Sequence, residues 1–119
     1  AAGMCTETDV LRAADGAARD NFGMSIAISC NTIVVGAYRD SDQGQNSGSV
    51  YTFTHQQAGG WLQTHKIIPM DGAARDKFGY RVAVSTHTVA ASAPRNSRRS
   101  MDQLSSGSAY VKEVCDSEE

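Results

Sequence analysis

Short runs in which apolar residues alternate with small or polar ones recur along most of the chain. They include Ser25-Ile26-Ala27-Ile28-Ser29, Thr32-Ile33-Val34-Val35-Gly36-Ala37, Val50-Tyr51-Thr52-Phe53, Arg81-Val82-Ala83-Val84-Ser85 and Thr88-Val89-Ala90-Ala91-Ser92-Ala93. A period of two over about four to eight residues, bounded by Gly, Asn, Asp and Ser, marks half-buried strands. The pattern predicts strands at about 23–29, 32–37, 48–54, 61–68, 79–85, 88–93 and 107–114, and no helix longer than a turn. The fold class is therefore all-β.

The strands belong to a repeat. At an offset of 56, Asp15-Gly16-Ala17-Ala18-Arg19-Asp20-Asn21-Phe22-Gly23 lies over Asp71-Gly72-Ala73-Ala74-Arg75-Asp76-Lys77-Phe78-Gly79, with eight of nine positions identical. The alternating runs behind each block match at the same offset, and Ser47-Gly48-Ser49-Val50-Tyr51 matches Ser106-Gly107-Ser108-Ala109-Tyr110 at 59. A three-residue insertion therefore sits in a loop of the second copy. A period near 50 residues with four short strands per unit is what a propeller blade looks like in sequence.

Phe22-Gly23 and Phe78-Gly79, followed by Gly36-Ala37-Tyr38 and Ser92-Ala93-Pro94, resemble the FG-GAP repeat of integrin-type propellers. The fuller pattern, Asp-Gly-Ala-Ala-x-Asp-x-Phe-Gly with Ser-Gly-Ser-x-Tyr downstream, is similar to FG-GAP proteins of bacteria and unicellular eukaryotes. The likeness spans about residues 10–114. It implies two four-stranded antiparallel β-propeller-type blades in a single domain over 1–119. The first repeat is read as about 14–69, and the second as about 70–115 plus an N-terminal strand at 7–13.

That N-terminal assignment follows from the repeat arithmetic. The offset of 56 places Glu7 to Ala13 over Gln63 to Pro69 in the fourth strand of the first copy, while the second copy ends without one. Pairing of Glu7–Ala13 with Ser108–Val114 would complete the second blade and bring Cys5 opposite Cys115, a geometry that suits a disulfide. The competing reading gives this strand to an upstream blade of a longer chain and leaves both thiols free. Cys30, at the end of an alternating run, reads as a small buried thiol.

The loop Asp40-Ser41-Asp42-Gln43-Gly44-Gln45-Asn46 carries oxygen-bearing side chains at alternate positions around a glycine, the type of ligand Ca²⁺ takes. The family resemblance also implies a Ca²⁺ loop here. Candidate ligands are Asp40, Asp42, Asn46 and the carbonyl of Gly44, in the first repeat only. Asn46 stands where the family has Asp, so the affinity belongs in the weak range, on the order of 10⁻⁴ to 10⁻³ M. The alternative is a polar hairpin loop that hydrogen-bonds its own backbone. In the second copy Asn96 and Arg98 replace Asp40 and Asp42, which removes the site. Arg95, Arg98 and Arg99 become candidate contacts for an acidic partner, against the plainer reading of a solvated loop.

Catalytic chemistry finds little support. Asp15, Asp20, Asp71 and Asp76 recur beside glycine in both copies, as turn-capping residues do. Phe22 and Phe78 read as blade core, and His55, His65 and His87 are scattered over three elements. No nucleophile elbow, phosphate loop or HExxH stretch is present. Trp61 opens an outer strand, where it packs or, if exposed, anchors a partner. A net charge of −2 with 20% charged residues leaves no basic face for nucleic acid. No apolar stretch approaches the roughly 20 residues of a membrane-spanning helix.

Two repeats fall short of a closed propeller of typically about four to eight blades, and repeat units cannot bury their apolar faces alone. The expected function is a non-enzymatic protein-binding or scaffolding module, an accessory subunit whose partners are other protein subunits or a second copy. Ala1-Ala2-Gly3, small residues of the kind left by a signal peptidase or by excision of a domain, points to an extracytosolic setting. The alternative function is a carbohydrate-binding or enzyme-associated module using the loop face near Asp40.

Overall fold

The computed structural model describes residues 9–16, 20–42, 44–57, 59–70, 75–86, 88–94 and 107–113. Among them lie seven strands and no helix: β1 (Ser25–Ser29), β2 (Thr32–Ala37), β3 (Ser49–His55), β4 (Trp61–Ile67), β5 (Val82–Ser85), β6 (Thr88–Ala93) and β7 (Ser108–Glu113). They form two antiparallel sheets, β1-β2-β3-β4 and β5-β6-β7, of the type found in propeller blades.

Register decides what each face buries. Ala27 pairs with Val34, and Gly36 pairs with Val50, on the face of the first sheet that meets the second. There Val34 and Val50 pack with Phe78, Val89, Ala91 and Ala93, and Ile67, Val82, Val84 and Tyr110 close the cluster. One residue along each strand the parity flips, so Ile26, Ile33, Val35, Tyr51 and Phe53 lie on the opposite face. Val35, Ala37, Tyr51 and Phe53 form a second cluster there with Phe22 and Trp61.

The Phe-Gly of the second repeat couples the sheets. Phe78 is 2% exposed and bridges to Gly48, its amide donating to Ser47 O at 2.9 Å. Gly79 N donates to Ser92 O at 2.9 Å, and Ser25 Oγ donates to Gly79 O at 3.0 Å. This approach needs bare backbone, since a Cβ on Gly36 would lie 2.1 Å from Gly79 O and one on Gly48 would lie 2.1 Å from Phe78 O. The glycine of Gly36-Ala37-Tyr38 is therefore a docking surface for the next Phe-Gly.

Two expectations are corrected. The described part of the N-terminal segment, residues 9–13, is in no strand and does not pair with β7. Leu11 and Ala13 pack instead on the first sheet's outer cluster, and Ala14 N donates to Gln63 Oε1 at 2.9 Å. The repeat explains this position: Leu11 stands to Phe22 as Ile67 stands to Phe78, so each outer-strand residue follows the Phe-Gly of the repeat it precedes. Cys30 is exposed, because the alternating run ends at Ser29 and Cys30 occupies the two-residue turn to β2 with φ of 52°. Cys5 and Cys115 lie outside the described residues.

Candidate functional site

The outer face of the first sheet is a groove of about 540 Å³. Its walls are Leu11, Phe22, Ile26, Ile28, Ile33, Val35 and Trp61, with Gly23 and Asp9 completing the lining. Phe22 meets Tyr51 and Phe53 edge-on at 5.4 and 6.0 Å, and Trp61 meets His55 at 5.0 Å. The floor is buried, but Ile26 and Ile28 remain 61% and 63% exposed. Ile26 and Ile28 are neighbours on one strand face, so they form a contiguous apolar patch rather than scattered surface residues.

These side chains occupy the repeat positions that seal the two sheets together. The offset of 56 maps Ile26, Ile28, Ile33 and Val35 onto Val82, Val84, Val89 and Ala91, all in or against the inter-sheet core. Phe22 likewise maps onto Phe78. The second-copy set is covered by a sheet, whereas in the first copy Val35 is buried in the groove floor and Ile26 and Ile28 are left open.

Beside the groove lies a polar cluster centred on Lys66 of β4. Its Nζ lies 2.5 Å from Asp15 Oδ2, 2.5 Å from Asp42 Oδ2 and 2.9 Å from Asp40 Oδ2. Tyr51 Oη donates to Asp15 Oδ1 at 2.7 Å, and Ser49 Oγ donates to Asp40 Oδ2. Burial alone would lower the Lys66 pKa, but its hydrogen bonds to Asp15, Asp42 and Asp40 outweigh that and push it well above the ordinary lysine range. Tyr51 is raised by burial and by Asp15, whereas Asp15 is lowered by Lys66 and then Tyr51.

The structure thus brings Asp40 and Asp42 together, as the loop pattern suggested, and adds Asp15 and Lys66 to them. Asp15, read from sequence as a turn cap, ties the N-terminal segment to the sheet. Gly44 O accepts from Ser47 N at 3.0 Å, and Asn46 O accepts from Lys77 N at 2.9 Å. Among the described residues no group of three His, Cys, Asp or Glu is arranged to hold a metal ion. Trp61 is half-buried in the groove wall, and His65 Nδ1 lies 3.3 Å from Thr52 Oγ1. Asp20 and Asp76 are both buried. Arg95, Arg98, Arg99, His87 and Asp71 lie outside the described residues. Sequence reasoning missed the groove and Lys66, although the repeat map carried a signal for the groove in the apolar size of Ile26 and Ile28.

Two stacked antiparallel sheets locked by a Phe-Gly insertion define a blade-type repeat module. The sequence profile of the FG-GAP repeat matches residues 5–53 and 61–112, and the chain belongs to the FG-GAP repeat family. The two matches start 56 residues apart, the interval read from the repeat itself. Comparison with curated proteins finds no match. No helix among the described residues is long and apolar enough to cross a membrane.

Proposed function

We propose that the chain is a non-enzymatic protein-binding module of an extracytosolic assembly, and that the outer face of its first sheet is the contact surface. One observation carries this reading: Ile26 and Ile28 are more than half exposed while their repeat equivalents, Val82 and Val84, pack against the inter-sheet core. A partner with an apolar sheet face, another subunit or a second copy, would cover the groove as the second sheet covers the first. Burial of the surface the two isoleucines still expose would contribute roughly 1–2 kcal/mol each if complete.

The Lys66 cluster supports the same reading against an enzyme-associated or carbohydrate-binding module near Asp40. Catalytic groups are tuned toward the working pH, whereas Lys66 and Tyr51 are raised and Asp15 is lowered, all away from neutrality. The carboxylates there are already bonded within the chain. A photoreactive phenylalanine analogue at position 28, expressed in the native host, tests the proposal. A discrete cross-linked protein from position 28 and none from position 112 on β7 is expected. Equal labelling from both positions, or none from 28, would overturn it.

A further inference from the structure

The 40–46 loop has the composition of a divalent-cation loop, yet its two carboxylates converge on an atom of the chain itself. Lys66 Nζ lies within 2.9 Å of carboxylate oxygens from Asp15, Asp40 and Asp42, which come from two separate stretches of sequence. The Asp40 side chain is only 7% exposed and that of Lys66 18%, so the centre of the cluster is shielded from solvent. Two of the nitrogen-to-oxygen distances, 2.5 Å each, fall within the roughly 2.3–2.6 Å at which Ca²⁺ holds oxygen ligands, and the third, 2.9 Å to Asp40, lies beyond it. Carboxylates gathered this closely around one point, with Asp40 buried among them, repel one another unless a positive charge lies between them.

We propose that the Lys66 ammonium is the resident cation of this loop, occupying the place a divalent ion would take, so that the module keeps its fold without calcium. It follows that removing the ammonium, while keeping the acids, leaves Asp15, Asp40 and Asp42 to regroup around a divalent cation, an arrangement they do not have around the lysine. This inference is independent of the contact surface proposed above. It replaces the sequence-based expectation of a weak Ca²⁺ loop in the native chain.

The test is thermal unfolding of the wild type, Lys66→Met and Asp42→Asn in EDTA and in about 5 mM CaCl₂, a concentration that fills a weak oxygen site. Terbium luminescence excited through tyrosine provides a second readout, since Tyr51 is hydrogen-bonded to Asp15. Wild type is expected to show the same midpoint in both buffers and no sensitised terbium emission. Lys66→Met, which retains most of the aliphatic stem, is expected to unfold several degrees lower in EDTA, to recover most of that loss in calcium and to sensitise terbium. Asp42→Asn keeps the ammonium and is expected to be destabilised equally in both buffers, which keeps the test decisive even if Lys66→Met does not fold. A calcium-dependent midpoint or terbium emission in wild type would overturn the proposal. So would a folded Lys66→Met protein indifferent to calcium and terbium, or an Asp42→Asn protein whose loss appears only in calcium.

Discussion

Asp15 keeps 51% of its side-chain surface accessible, yet its carboxyl is held below the ordinary range by the hydrogen bond from Lys66 and then by that from Tyr51. A carboxyl lowered in the folded state contributes stability above its unfolded pKa and loses that contribution as pH falls through the folded value. Lys66 is raised, so its contribution is complete below its unfolded value of about 10.5 and is lost only as pH rises through the folded value. The clamp therefore holds through the neutral range and opens on the acid side. Asp15→Asn should lower the thermal midpoint at neutral pH, and the gap to wild type should begin to narrow below about pH 4, where Asp15 of the unfolded chain takes up a proton, and close as pH falls through the lower folded value. Thermal scans of both proteins from acid to neutral pH check this, and a gap that persists undiminished in acid would assign the effect to something other than the ion pair.

The two Phe-Gly elements share a sequence but differ in what covers them. Phe78 is enclosed by both sheets, whereas Phe22 is half-buried on an open face. Phe78→Ala should cost about 3–5 kcal/mol, the range for truncating a buried phenylalanine. Phe22→Ala should cost roughly 1–2 kcal/mol, in proportion to the smaller apolar area removed from water. Urea unfolding of the two variants measures the difference, and equal losses would mean that Phe22 is buried as deeply as Phe78. The asymmetry belongs to the element's neighbour rather than to the element, because the residues of the two Phe-Gly loops are nearly identical.

At the scale of the molecule, one sheet face is sealed and its repeat equivalent is open. A charge introduced at Val84 enters the inter-sheet contact and meets the penalty for an unpaired buried charge. The same charge at Ile28 stays in water, since that side chain is already 63% exposed. Ile28→Asp is therefore expected to leave the urea midpoint within about 0.5 kcal/mol of wild type while abolishing anilinonaphthalene sulfonate fluorescence from the groove. Val84→Asp is expected to remove cooperative unfolding altogether. An Ile28→Asp protein that unfolds like Val84→Asp would show that the groove is internal core.

Much of the architecture could be read from the residues. The strands expected at 32–37 and 88–93 are β2 and β6 to the residue, and those expected at 23–29 and 79–85 begin two to three residues late because Gly23 and Gly79 belong to the Phe-Gly turn. The repeat, the Phe-Gly core position and the acidity of the 40–46 loop were equally legible, since each is a property of residues close together in the chain. Tertiary structure alone decided which side of each strand is covered. Period-two alternation says that Ile26 and Ile28 share a face, but when both faces of a sheet carry apolar residues it cannot say which has a neighbour. It likewise decided where Leu11 docks, because the repeat match of Glu7–Ala13 to a fourth strand fits either sheet until packing chooses. The role of Lys66 was hidden for a related reason: a lysine on an alternating strand looks solvated in sequence. Only the register of β3 against β4, with Tyr51 opposite Lys66, brings its ammonium to carboxylates that are 24 and 51 residues away.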